Sequence, residues 1–265
     1  LLERLQPLKA AVKSIFFISI TVLVVIELVR LKRTITLESL ESALGGLSIW
    51  HLVLMAVIGL VAVSPMLLYD IILNKELETD YSKSYILETS WAVNTINNLA
   101  GFAGLVDVGL RYSFYSENGQ EKTGVKALSR LLPYFMSGLS LLSGLVFAVF
   151  WFFPLSPDLR KYWLLLLGIF LYLPFIFFVS SREKLAYFGQ VPLKTRLSLL
   201  LASTAEWGTA LGSFVSVAYL MGLHVPLYNL VPLYFLAVII GIFSMIPGGI
   251  GSFDLIVITG LTSMG

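Results

Sequence analysis

Apolar positions along this chain fall into long blocks separated by short polar links, at about 12–31, 47–73, 131–153, 163–180, 198–222, 229–246 and 253–265. A membrane-crossing helix takes about 20 apolar residues, so most of these blocks predict spans and the last is a partial one. The expected fold is therefore all-α, a polytopic membrane helical bundle. The first block exceeds a signal-peptide core and lacks a small-residue cleavage site, so it reads as a retained span. Pro65, inside the second block, predicts a kink because proline removes a helical donor. With a shortened last block and no initiating methionine, the chain reads as the front part of a longer protein.

Residues 84–111 break the pattern, being apolar enough to enter a membrane yet holding Glu88, Asn94, Asn97, Asn98, Asp107 and Arg111. On a helix Asn94, Asn97 and Asn98 share one face. The stretch reads as a broken or re-entrant segment, with a plain polar-faced span as the alternative. Its glycine turn, Gly101-Phe102-Ala103-Gly104-Leu105-Val106-Asp107, spells GxxGxxD, as does Gly248-Gly249-Ile250-Gly251-Ser252-Phe253-Asp254. With Pro247, the second copy should stop or bend a membrane helix, making Gly101, Gly104, Pro247, Gly248, Gly249 and Gly251 candidate hinges. Paired glycine-interrupted segments in the two halves of a chain point to a transport site; alternatively, GxxG only lets two helices approach closely.

Charges inside apolar blocks are the candidate chemistry. Asp70, Asp107, Glu206 and Asp254 supply carboxylates at or within the membrane, with Arg111 as a single nearby cation. A central acidic residue costs roughly 2.5–3.5 kcal/mol on insertion scales, so each needs a partner or water. Glu206 shares a helical face with Ala202, Thr209 and Ser213. Such a set can clamp a cationic headgroup while Arg111, with Asn94 and Asn98 close by, holds a phosphate; it can also relay protons or form a structural ion-pair network. Connections 112–130 and 181–197 carry clustered Lys and Arg whereas 223–228 carries none, which places the first two in the cytoplasm and the last outside. The amino terminus is then cytoplasmic if 84–111 re-enters, and outside if it crosses.

Composition narrows the function classes. The 265 residues are 57% hydrophobic and 13% charged, against about a quarter charged in soluble domains, which makes this an integral membrane protein. The net charge of +2 comes without a basic tract, so no nucleic acid is expected as partner. With no cysteine and only His51 and His224, neither a thiolate nucleophile nor a metal cluster is expected. Walker, GxGxxG, HExxH and GxSxG motifs are missing, so no catalytic residue and no cofactor is assigned.

Tyr69-Asp70-Ile71-Ile72-Leu73, the stretch from Asn94 through Arg111, Glu206-Trp207, and Ile246-Pro247-Gly248-Gly249-Ile250-Gly251-Ser252-Phe253-Asp254-Leu255 together resemble the multiple peptide resistance factors, bifunctional lysylphosphatidylglycerol synthases and flippases. The resemblance covers nearly the whole chain and implies the amino-terminal, flippase-type region in the bacterial cytoplasmic membrane. It implies movement of lysyl-phosphatidylglycerol to the outer leaflet, which lowers the surface's attraction for cationic antimicrobial peptides. The family's important polar positions would fall on Asp70, Arg111, Glu206 and Asp254. Implied partners are phosphatidylglycerol, its lysyl derivative and a carboxyl-terminal synthase domain fed by lysyl-tRNA, absent from this sequence; a homo-oligomer is left open.

Overall fold

The computed structural model describes residues 37–77, 79, 81–100, 105–115, 128–153, 157–182, 191–244, 249 and 251–264, with Ile15, Ile18, Val22, Val25, Ile26 and Val29 from the first predicted span. The rest of 12–31 lies outside the described residues, as do Gly101, Gly104, Pro247 and Gly248. The described residues are helical and contain no strand, so the all-α membrane class expected from the apolar blocks holds. In chain order the helices are α1 (Leu37–Leu44), α2 (Ile49–Val63), α3 (Leu67–Glu76), α4 (Lys83–Ala100), α5 (Leu105–Tyr115), α6 (Ser137–Phe152), α7 (Pro157–Arg160), α8 (Trp163–Ser181), α9 (Leu193–Leu220), α10 (Leu227–Phe243) and α11 (Ser252–Ser263). Among the described residues three stretches, Ile49–Glu76, Leu128–Ala148 and Trp163–Ser181, are long and apolar enough to cross a membrane.

The bend expected at Pro65 is a 3-10 turn, Ser64–Met66, between α2 and α3. Proline cannot donate to the carbonyl four residues back, Val61, and an unsatisfied carbonyl in hydrocarbon is costly. Ser64 covers it, its Oγ donating to Val61 O at 2.8 Å. The neighbouring Ala62 O receives Thr209 Oγ1 from α9 at 2.9 Å. Pro174 poses the same problem inside α8, and Phe170 O is met by Ser140 Oγ of α6 at 3.0 Å. Ser140 also accepts from Leu173 N–H at 2.9 Å. Ser140 Oγ also lies 2.6 Å from Ile169 O, so Ser140→Ala removes a partner from three backbone groups of α8 at once. It should lower stability by about 2 kcal/mol, read as a fall in the melting temperature of the detergent-solubilised protein.

The bundle is built around α9, whose 28 residues extend for about 42 Å. It packs against α2, α3, α6, α10, the Ser64–Met66 turn and a second 3-10 turn, Leu132–Met136, that leads into α6. One core gathers Tyr69, Leu73, Tyr115, Leu131, Tyr134 and Leu199 around the first half of α9. The other gathers Leu139, Phe150, Leu166 and the buried Leu230–Ile239 side of α10 around its second half. Glu206 of α9 stands between them.

Two antiparallel hairpins flank this axis. In the first, Tyr85 Oη of α4 donates to Phe114 O of α5 at 2.9 Å while Asn94 meets Arg111, so the two helices run in opposite directions. In the second, Gly241 faces Phe253 and Leu233 faces Gly260, the same crossing for α10 and α11. Within the described residues the returning helices are α5, Leu105–Tyr115, and α11, Ser252–Ser263. Asp107 and Asp254 both occupy the third position of the returning helix, so the repeated GxxGxxD motif corresponds to a repeated element. Gly249 and Gly251, with φ of +67° and +91°, adopt the left-handed backbone that the second turn requires.

Candidate functional site: a buried ionic group beside Glu206

Asp70 sits in the first turn of α3, just after the proline bend, and faces inward because Tyr69 and Leu73 on the same side are buried. Arg111 reaches it from α5. Its Nε donates to Asp70 Oδ1 at 2.9 Å and its Nη2 to Oδ2 at 2.8 Å, a planar two-point contact that only a guanidinium makes. Nη2 also donates to Asn94 Oδ1 of α4 at 3.2 Å, and Nη1 pairs with Asp107 one helical turn earlier on α5. Asn94 Nδ2 in turn donates to Ser90 Oγ at 3.0 Å. The guanidinium carbon lies 5.6 Å from the Phe135 ring centre. Asp70, Arg111 and Asp107 are 0%, 1% and 3% exposed, so this group is sealed inside protein.

The sequence offered Arg111 to a phosphate. In this arrangement all three guanidinium nitrogens are engaged by Asp70, Asp107 and Asn94, and the group ties the α4–α5 hairpin to α3.

Glu206 has a different partner. Its Oε2 accepts from Tyr69 Oη, the residue before Asp70. Tyr69 stacks on Phe135 with ring centres 4.2 Å apart, and Phe135 also lies under Arg111, so three aromatic and ionic groups share one contact. Below them α6 and α9 touch backbone to backbone. Gly138 N–H donates to Ser203 Oγ at 2.8 Å and Ser203 Oγ donates to Phe135 O at 2.7 Å. Glu206 itself is half-buried.

Asp254 stands apart. It is exposed, and its Oδ2 accepts from Gly251 N–H at 3.0 Å across the start of α11. The residue one turn on from Asp107 is Arg111, whereas one turn on from Asp254 is the exposed Ile258, so equal positions in the two hairpins meet different neighbours. Asn98 is exposed on α4, away from the buried Asn94. The structure thus brings together Asp70, Asn94, Asp107 and Arg111, joins Glu206 to their edge through Tyr69, and leaves Asn98 and Asp254 outside. Tyr69 and Ser203 were not among the candidates. The available hint was that Tyr69 lies beside Asp70 and, like it, within an apolar block.

An all-α bundle with bilayer-length apolar helices and an ionic group buried among them defines an integral membrane helical protein. No family model matches the chain. It is 29% identical over 261 residues to the phosphatidylglycerol lysyltransferase of Bacillus subtilis (strain 168) and 30% over 261 residues to that of Staphylococcus aureus (strain MRSA252). The enzyme of the same name from Staphylococcus haemolyticus (strain JCSC1435) is 30% identical over 271 residues. These alignments take in 96–98% of this chain but only 30% of each relative's length. The chain is a homologue of one part of the phosphatidylglycerol lysyltransferases, as its motifs implied.

Proposed function

We propose that this chain is the multi-pass region of a bacterial cytoplasmic-membrane protein through which lysyl-phosphatidylglycerol moves to the outer leaflet, lowering the surface's attraction for cationic antimicrobial peptides. The observation that carries this reading is the pair of antiparallel hairpins, each joined through a stretch that is glycine-rich in sequence and each with an aspartate in the first turn of its second helix. With the Lys/Arg-bearing connections on the cytoplasmic side, the α4–α5 hairpin enters from the cytoplasm and the α10–α11 hairpin from outside. Paired broken helices inserted from opposite faces are how transporters place a polar site at mid-membrane. Within that site Glu206 receives the lipid's ammonium groups, because its carboxylate is more accessible than those of Asp70 and Asp107. Asp70, Asp107, Asn94 and Arg111 hold the first hairpin in position.

The test is the sidedness of lysyl-phosphatidylglycerol in cells carrying the full-length protein. Glu206→Gln should leave the total amount of this lipid constant and reduce the fraction that an impermeant amine reagent reaches from outside. Unchanged sidedness rejects the assignment. The relatives' shared name favours a second reading, a membrane part that presents phosphatidylglycerol to a lysyltransferase domain. Under that reading the same variant lowers the total lipid instead.

A further inference from the structure

With Arg111 enclosed by protein carboxylates, the phosphate of a translocated phospholipid needs another cation, and the structure holds one beside open space. A cavity of about 350 Å³ is lined by Phe147 and Phe150 of α6, Arg160 of α7 and Trp163 of α8. It lies at the end of the α6–α8 hairpin opposite the Lys/Arg-bearing connections. The short helix α7 is anchored there by Leu159, 4% exposed, which packs into the core formed with α10. That anchoring fixes the position of the next residue, Arg160, whose side chain is exposed at the cavity edge. Among the carboxylate side chains that the structure describes, which exclude Asp158, none pairs with it. The aromatic walls are well placed for a glycerol backbone and upper acyl chains, with Phe147 and Trp163 ring centres 6.3 Å apart. Tryptophan at a membrane interface sits at headgroup depth, which is where a phosphate would lie beside a guanidinium.

We propose that this cavity is a phospholipid site in which Arg160 binds the phosphate of an anionic phospholipid of the outer leaflet and Phe147, Phe150 and Trp163 hold its glycerol and acyl region. For the choice of a phospholipid it rests on the translocation reading, and it adds a place where the lipid docks after or before its passage. Neutral phosphatidylcholine carries the same phosphate but with a compensating choline, so the guanidinium at the cavity edge favours phosphatidylglycerol.

The full chain, purified in detergent, is incubated with equimolar phosphatidylglycerol and phosphatidylcholine, and retained lipids are counted by native mass spectrometry. The expected result is a preference for phosphatidylglycerol that falls about three- to tenfold in Arg160→Gln, survives largely in Arg160→Lys, and resists inorganic phosphate. Arg160 is exposed, so circular dichroism should show the variant folded; Trp163→Ala, weakening retention of both lipids, tests the aromatic wall separately. Equal retention of the two lipids, an Arg160→Gln preference matching that of the parent, or displacement of lipid by inorganic phosphate overturns the proposal. Those outcomes leave the sidedness of lysyl-phosphatidylglycerol untouched, whereas loss of the Glu206 effect with lipid retention intact removes the translocation reading alone.

Discussion

Arg111→Met should destabilise the protein by about 3–5 kcal/mol, because it leaves Asp70 and Asp107 as buried carboxylates with no cation between them. The buried ionic group is almost inaccessible to water, so solvent cannot replace the lost contacts. Thermal unfolding followed by tryptophan fluorescence in detergent would show this as a large drop in melting temperature. A second construction separates the ion group's structural part from any other. Replacing all three charges together, Asp70→Leu, Asp107→Leu and Arg111→Met, removes the desolvation cost with the attraction, and most of the stability should return. If Arg111→Met melts like the parent, the guanidinium is not where the structure puts it.

The other large effect is steric. A methyl group added at Gly138 would fall 2.1 Å from the carbonyl carbon of Ser203 and 2.2 Å from the amide nitrogen of Thr204. Both are backbone atoms of α9, so no side-chain rotation relieves the overlap. Gly138→Ala must push α6 away from α9 and break the two hydrogen bonds through Ser203, at a cost of about 3 kcal/mol or more. Gly208 and Gly212 on α9 provide the control, since a methyl group at either meets nothing within 4 Å. Alanine there should be neutral or stabilising by up to about 1 kcal/mol through helix propensity. Equal melting temperatures for Gly138→Ala and Gly208→Ala would contradict the close approach of α6 and α9.

How much of this was legible in the sequence depended on how far apart the partners lie. Apolar blocks gave the helices to within a few residues, because a membrane-length helix is a local property: 163–180 corresponds to Trp163–Ser181 and 229–246 to Leu227–Phe243. The proline at 65 was legible for the same reason. That Asp70, Arg111 and Glu206 are expensive was readable from their apolar neighbours, but their pairing was not. Asp70 and Arg111 are 41 residues apart, and Tyr69 and Glu206 are 137 apart. Nothing local distinguishes a tyrosine that solvates a buried carboxylate from one at an interface, so Tyr69 escaped notice. Asp254 failed the opposite way: its motif matches that of Asp107, but what lies beside each aspartate is set by the position four residues on.

The unequal surroundings of those two aspartates make the two arms of the molecule mechanically different. The arm ending in α5 is bolted to α3 through a two-point guanidinium contact, and cannot shift without breaking it. In the arm ending in α11 the aspartate instead accepts from Gly251 N–H at the start of its own helix. The same motif thus serves as an anchoring point in one arm and as a helix cap in the other.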